Sequence, residues 1–222
     1  DHPDVYDALY ADKEYDREVA FVCEQFDERG NDGDRALVVG CGTGEHSKRL
    51  RERGFEVTGV DRYEAMVERA RTKSDADFRV GRLPDLPVDG AFDLVFVPFT
   101  VVNHLPPDDF APSLRALVDA LADDGLLVFD VMGDSPEEPT SMQLYTSDRP
   151  EGTYARLVQK RPTEGRQYRW DSLVFTPDGE FFADVHELTN FDREVVVGAM
   201  NVLGLDVETF GWYGDVDESE TD

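Results

Sequence analysis

The chain has 222 residues, against a prior of roughly 150 per domain, which predicts one domain carrying an elaboration. Its 40% hydrophobic, 11% aromatic and 32% charged residues supply enough apolar surface for collapse and exclude collagen-like, low-complexity and wholly disordered chains. A formal net charge of -27 excludes nucleic acids and anionic membranes as partners, because such a surface repels phosphate backbones and acidic lipids.

Acidic residues run through the whole chain and only four of the 22 cations are lysines, a spread that resembles proteins of salt-accumulating halophiles. Dense carboxylates keep a surface hydrated, and their repulsion is tolerable where salt shortens the screening length to ~3 Å at 1 M. Cys23 falls in an amphipathic pattern and Cys41 in a glycine-rich loop, so no disulfide framework is implied and a reduced, cytoplasmic setting fits. No apolar run approaches the ~20 residues of a membrane span. The start, Asp1-His2-Pro3-Asp4, lacks the basic and apolar regions of a signal peptide, and without an initiator Met it is expected to be trimmed or partial.

In chain order, Tyr15, Val19, Val22, Cys23 and Phe26 share one face of a helix ending near Gly30, which makes Cys23 a core residue. Asn31-Asp32-Gly33-Asp34 leads into Ala36-Leu37-Val38-Val39, an apolar run bounded by glycine and too short for a helix, as a strand buried on both faces should look. A glycine loop at 40–44, a polar helix to about Arg53, a stop at Gly54 and a strand at 55–60 complete a β-α-β unit. A helix at 63–73, strands at 78–83 and 92–97, and a helix at 109–122 striped by Phe110, Leu114, Leu117, Val118 and Leu121 follow. Gly125 breaks that helix and a fifth strand takes 126–129. Helices alternating with short apolar strands predict an α/β fold: a Rossmann-like, doubly wound, mostly parallel sheet with right-handed crossovers.

Past Val131 the texture changes. A Pro/Asp/Glu-rich loop at 133–140 precedes two or three alternating strands at 153–160, 168–176 and 180–188, the last two joined as a hairpin by Pro177-Asp178-Gly179. A helix with Val195, Ala199, Met200 and Leu203, a strand at 205–210 and an acidic tail, disordered by composition, close the chain. The expected division is a cap helix at 1–30, a core at 31–131, a small antiparallel β insert after the fifth strand at 132–191, the core's final helix and strand at 192–211, and the tail at 212–222.

Gly40-Cys41-Gly42-Thr43-Gly44 lies between a buried strand and a helix, so backbone N–H groups and the helix N-terminus face a ligand above the strand ends. Asp61 closes the second strand 19 positions after Gly42, where a carboxylate can accept both hydroxyls of a ribose. Loop and acid together specify a nucleoside-bearing cofactor. A dinucleotide fingerprint would want Gly or Ala at position 45, beneath a pyrophosphate. Glu45 stands there instead, and its charge is expected to repel a diphosphate and to favour a phosphate-free cofactor with a positive sulfonium and amine.

On these residues the chain resembles the class I S-adenosylmethionine-dependent methyltransferases, in a halophilic archaeal version, over about residues 34–131. The run from Leu37 through Gly40, Cys41, Gly42 and Gly44 is similar to their first motif, which implies contact with the methionyl part of the cofactor. Asp61 matches their ribose-binding acid, Arg62 follows it, and Met66 matches the Met that packs on adenine, while Tyr63 replaces a usual Ser. Gly81-Arg82-Leu83 sits where the family has Gly-Asp-hydrophobic, so the departure at Arg82 leaves the adenine contact there to backbone. Phe92-Asp93-Leu94-Val95 with Pro98-Phe99 resembles the fourth-strand motif that passes beside the transferable methyl. Tyr6-Asp7, Tyr10 and Lys13-Glu14-Tyr15-Asp16 are similar to the N-terminal segment of sugar-amine N-methyltransferases, which folds over the cofactor and brings Tyr15 to it. The block from Asp184 to Phe191, with the helix and Gly204-Leu205 after it, is similar to their strand-rich insert and sixth strand.

The resemblance implies S-adenosylmethionine as cofactor, S-adenosylhomocysteine as product, and in-line methyl transfer to a small-molecule acceptor, an amine nitrogen being favoured. Alignment and exclusion of water carry most of such a reaction, and an amine must arrive neutral, which makes Tyr6, Tyr10, His104 and His186 the candidate catalytic side chains. No HxH, HExxH or CxxC spacing occurs, so no metal is expected. His46 reads as exposed, His186 as a structural histidine or a base, and Asn103-His104 as substrate-orienting or as a turn cap. Trp170, Tyr168 and Tyr154 read as cavity-lining or core, and Asp108-Asp109 as a helix cap. Two other readings stay open: a methyltransferase-like protein that binds cofactor or partner without turnover, suggested by Tyr63 and Arg82, and a nicotinamide oxidoreductase, should Glu45 point away. The insert is the expected contact of a homodimer.

Overall fold

The structure is a computed structural model that describes residues 2–133 and 136–214. The chain opens with two helices, α1 (Pro3–Leu9) and α2 (Tyr15–Arg29), of which the apolar pattern foretold only the second. There follow β1 (Arg35–Val39), α3 (Glu45–Glu52), β2 (Glu56–Asp61), α4 (Glu64–Lys73), β3 (Asp77–Val80) and β4 (Phe92–Val97). A 3-10 turn at Val101–His104 leads to α5 (Pro107–Asp119) and β5 (Leu121–Phe129). The five strands form one parallel sheet in the order β3-β2-β1-β4-β5.

Alternation along the strands builds the core on both faces. Ala36, Val38, Leu94 and Phe96 point to one side, against Val19, Val22 and Phe26 of α2, Leu50 of α3 and Val67 of α4. Leu37, Val39, Val95 and Val97 point to the other, against Phe110, Leu114 and Leu117 of α5. α5 ends three residues earlier than the helical pattern suggests, and β5 starts at once. The reason is local: Asp124 takes φ 57° and Gly125 lies so close to the Phe92 carbonyl that a Cβ would meet it at 3.0 Å, giving a bulge opposite β4 instead of a helix stop.

The insert is a four-stranded antiparallel sheet, one strand more than the sequence pattern resolved: β6 (Gln143–Arg149), β7 (Gly152–Pro162), β8 (Gln167–Phe175) and β9 (Phe181–Thr189). The foreseen hairpin joins β8 to β9 through Pro177-Asp178-Gly179, with Thr176 N–H donating to the Glu180 carbonyl at 3.0 Å. α6 (Arg193–Val202) then returns Val196 and Met200 to the α5 side of the core. The strand expected at 205–210 does not form: these residues join no ladder, because Leu205 and Val207 reach the core by packing alone and Phe210 packs on Phe21 at 5.4 Å. The acidic run 215–222 lies outside the described residues.

Asn103 fastens the insert to the core. Fully buried, its Nδ2 donates to the carbonyls of Thr189 and Met132 at 2.9 and 3.0 Å, and its Oδ1 accepts the Met132 N–H at 2.8 Å. It is therefore a joint between the two ends of the insert and takes no part in the cavity wall. Asn103→Ala strips buried carbonyls of their donors and is expected to lower unfolding stability by about 3 kcal/mol, read as a reduced urea midpoint with an unchanged slope; a change under about 0.5 kcal/mol refutes the joint.

Candidate cofactor and acceptor cavity

The carboxyl ends of β1, β2 and β4, the underside of α1 and the inner face of the insert enclose a cavity of about 820 Å³. Its floor is the glycine loop. Gly42 takes φ 53°, and a Cβ there would project into the gap toward the Tyr6 hydroxyl, 4.0 Å away, so a side chain would fill the space a ligand needs. Gly40 and Cys41 also line the cavity, whereas Gly44 caps α3 from beneath with φ 87°, packed on Ala70 and Phe78.

Asp61, at the end of β2, is buried beside the loop. Its Oδ2 accepts the Gly42 N–H at 2.8 Å and its Oδ1 the Tyr63 N–H at 2.9 Å, which fixes both oxygens toward the cavity rim. Burial pushes its carboxyl above the ordinary range, against those two N–H bonds. Tyr63 thus serves through its backbone, its exposed ring carrying the Arg62 guanidinium at 4.6 Å. Arg62, Met66, Gly81, Arg82 and Leu83 line the same side of the cavity, with Arg82 exposed at the rim.

Glu45 corrects a sequence expectation. It lines the cavity, yet its carboxylate is held by Lys73 at 2.8 Å and Arg49 at 2.5 Å. Burial raises its pKa, but the two cations outweigh burial and keep it ionised below the usual range. Its charge is offset locally, so its repulsion of a diphosphate is weaker than position alone implies. His46 corrects another: far from exposed, it is buried, its ring edge-on to Tyr15 and Phe96, with Nε2 2.6 Å from Glu18 Oε2. Burial keeps the imidazole neutral, and Lys13 supplies the positive partner of Glu18. Sequence could not show this, since Glu18 stands 28 residues away on another helix.

The roof is α1 and the turn after it. Asp7 accepts the Thr43 hydroxyl at 2.6 Å and binds Lys73 at 2.7 Å and Arg69 at 2.8 Å, which pins α1 over the loop. Tyr6, Tyr10 and Phe99 form a continuous aromatic patch, with centroids 4.7 Å apart from Tyr6 to Tyr10 and 5.1 Å from Tyr10 to Phe99. Tyr15 also faces the cavity, and burial drives the Tyr6 and Tyr15 hydroxyls well above their ordinary range.

The far wall is the insert. His104 and His186 meet edge to face at 5.2 Å, and His186 Nε2 lies 3.0 Å from Asp184 Oδ2. Burial, then the neighbouring His186 and Arg62, lower the His104 pKa to about 4. Trp170 lines the cavity, while Tyr168 and Tyr154 are buried outside it. Arg156, Ser172 and Trp212 also line the cavity and were missed. A cation between buried Tyr154 and Val158 in the alternation was the available signal for Arg156; nothing in its neighbourhood marked Trp212. Among the described residues no group of three His, Cys, Asp or Glu side chains is placed to hold a metal ion, and no helix is long and apolar enough to cross a membrane.

Residues 36–125 match the family model described as a methyltransferase domain. A Geobacillus sp. (strain WCH70) protein provisionally named a methyltransferase is 35% identical over 133 residues, 57% of this chain and 54% of that protein, so the chain spans about half of that relative's length. The dTDP-3-amino-3,4,6-trideoxy-alpha-D-glucopyranose N,N-dimethyltransferase of Streptomyces venezuelae is 24% identical over 216 residues, 94% of this chain and 91% of that one. Among solved structures, the amino pentose methyltransferase CalS10 of Micromonospora echinaspora, bound to S-adenosylmethionine, is similar with a TM-score of 0.81 and 28% identity, covering 94% of this chain and 92% of its own.

If Asp61 carries the ribose hydroxyls, Asp61→Ala weakens S-adenosylhomocysteine binding by on the order of 10-fold or more, the worth of hydrogen bonds to a charged group. Isothermal calorimetry on a variant shown folded by circular dichroism checks this, and an unchanged affinity rejects the assignment.

Proposed function

We propose that the core of this chain is a methyltransferase domain of the class I, S-adenosylmethionine-dependent type, a reading supported by the family match over 36–125 and the similarity to CalS10, and that the protein transfers a methyl group to an amine nitrogen of a small molecule. The observation that carries the reading is one cavity lined both by the glycine loop with Asp61 and by the His104–His186 pair. The full-length similarity to an aminosugar N,N-dimethyltransferase supports an amine acceptor.

Bound cofactor supplies a methyl already activated by its sulfonium, so the protein's task is alignment and drying. Asp61 would hold the ribose, Met66 and Leu83 would flank the adenine with backbone at Gly81 and Arg82, and Gly40, Cys41, Gly42 and Tyr15 would border the methionyl end. The patch of Tyr6, Tyr10 and Phe99 would offer aromatic rings to the cationic centre. His104, with a pKa of about 4, is too weak a base to keep an alkylammonium proton. Its neutral ring instead accepts a hydrogen bond from the amine that has already lost that proton, turning the lone pair toward the methyl. His186, oriented by Asp184, positions His104 from behind.

We also propose a halophilic, cytoplasmic protein that pairs as a homodimer. The charge of -27 and the two free thiols support the first two. The third rests on the outer face of the insert, where Leu144, Phe181 and Val185 are exposed at 63%, 67% and 44%, an apolar surface suited to a second copy.

Calorimetry with S-adenosylhomocysteine beside NAD in molar salt tests the reading: binding of the first alone is expected, and binding of NAD alone ends it. His104→Ala is expected to lower kcat by about 10-fold, one hydrogen bond's worth, with cofactor affinity unchanged. Salt supplies a second check. Screening from ~8 Å at 0.15 M to ~3 Å at 1 M should raise the thermal midpoint by about 10 °C or more, with light scattering giving twice the chain mass; a salt-insensitive midpoint or a monomer refutes the corresponding claim.

A further inference from the structure

The inner face of the insert carries more hydrogen-bond donors than the protein itself satisfies. Arg156 on β7 and Trp170 and Ser172 on β8 all line the cavity. Arg156 Nη1 donates to the Tyr10 hydroxyl at 2.7 Å, but Arg156 Nε, Trp170 Nε1 and Ser172 Oγ are each buried without a partner. Two of these three are donors only, with no accepting capacity of their own, so they cannot satisfy one another. Buried donors of this kind normally have an acceptor. Their neighbourhood holds two cations beside the Asp184 carboxylate, whose pKa is lowered by His186 and further by Arg156. The Arg156 guanidinium lies 5.4 Å and the Lys160 ammonium 4.7 Å from the Trp170 ring. In a chain with 49 acids and 22 bases, two cations converging on one indole that lines a cavity run against the composition. The wall's carboxylate, Asp184, is engaged with His186 at 3.0 Å and sits on β9, beside the histidine pair and opposite Ser172 in register.

We infer that the acceptor carries, besides its amine, an anionic oxygen group, a carboxylate or a phosphate, which Arg156, Trp170 and Ser172 hold on the inner face of the insert. This rests on the methyl-transfer reading and sets two groups side by side on the far wall, since Asp184 lies opposite Ser172 in register. Asp184, His186 and His104 face the amine, and Arg156 with the indole N–H and the Ser172 hydroxyl faces the anion. Because Arg156 also holds Tyr10, the anion would brace the roof: a bound group that fixes the guanidinium fixes the Tyr10 ring against Phe99 as well. Arg156, Trp170 and Ser172 are then specificity residues for the reaction.

Tryptophan emission tests it. The chain has two tryptophans, so Trp212→Phe leaves Trp170 as the sole reporter at the wall. With S-adenosylhomocysteine saturating, acetate and inorganic pyrophosphate are titrated separately at constant ionic strength. Saturable change of Trp170 emission with either anion is expected, and the anion that saturates tells carboxylate from phosphate. Arg156→Gln should weaken it by about 10-fold or more, and Ser172→Ala, which removes only a hydroxyl, by several-fold, roughly the spread between charged and neutral hydrogen bonds. S-adenosylhomocysteine affinity should stay within about 2-fold in Ser172→Ala, the spread expected of independent sites, because Ser172, unlike Arg156, holds no residue of the roof. No saturation with either anion, or saturation that both substitutions leave intact, overturns the inference. Failure of the parent chain to bind S-adenosylhomocysteine, read by calorimetry, breaks the methyl-transfer reading and this inference with it, and so is told apart from failure at the insert alone.

Discussion

The Asp7 carboxylate decides whether there is a cavity at all. Its two oxygens tie α1 to the Thr43 hydroxyl of the glycine loop and to Lys73 and Arg69 of α4. One residue on, the Ala8 carbonyl accepts the Ser147 hydroxyl and Arg149 Nε of β6, each at 2.8 Å. A helix of seven residues has no stability of its own in water, so α1 exists as a crosspiece because both ends of this tie hold. Remove it and the glycine loop, the aromatic roof and the insert wall no longer face one another, and the site becomes an open groove in which water competes for every polar group.

The same tie shows how a chain with so many carboxylates arranges its few bases. Of the four lysines, Lys13 pairs with buried Glu18, Lys73 with Asp7 and Glu45, and Lys160 lies over Trp170. Arg49, Arg149 and Arg156 likewise point inward, to Glu45, the Ala8 carbonyl and Tyr10. Molar salt screens exposed charges almost completely but screens partly buried pairs far less. In the molar salt proposed for this chain, cations placed around the cavity would therefore keep their effect, while surface pairs such as Arg115 with Asp119, at 3.9 Å, contribute little.

Much of this was legible in the chain because parallel strands buried on both faces announce themselves as short apolar runs. Ala36 to Val39, the glycines after it and Asp61 at the close of the next strand lie in register in the sequence as they do in the sheet. What escaped was set by distance. His46 reads as exposed on a polar helix until Glu18 and Lys13 arrive from the N-terminal segment. Glu45 reads as a bare charge until α4 supplies Lys73. Alternation at 205–210 reads as a strand, yet a ladder needs a partner backbone, and apolar alternation shows only that one side is buried. Trp212 reaches the cavity from a segment with no periodicity to reveal it.

The turn after β4 shows what the buried acid Asp130 accomplishes. Phe99 and Thr100 both adopt positive φ, 60° and 57°, a conformation costing roughly 1–2 kcal/mol for each such residue. Asp130, just past β5, accepts the Thr100 N–H at 2.8 Å and offers its carboxylate to this turn from the neighbouring strand. Burial pushes its pKa up to about 6, against that bond, so the carboxylate is itself held at some expense in stability. The result is geometric. With the turn kinked in this way, the Phe99 ring faces Tyr10 at 5.1 Å and the Lys13 ammonium at 4.9 Å and closes the aromatic patch over the cavity. An extended continuation of β4 would carry Phe99 past the patch and leave the proposed path of the methyl group open to water. Strain at the strand end and a buried acid beneath it thus serve one purpose, a rigid edge beside which the proposed reaction would bring its atoms into line.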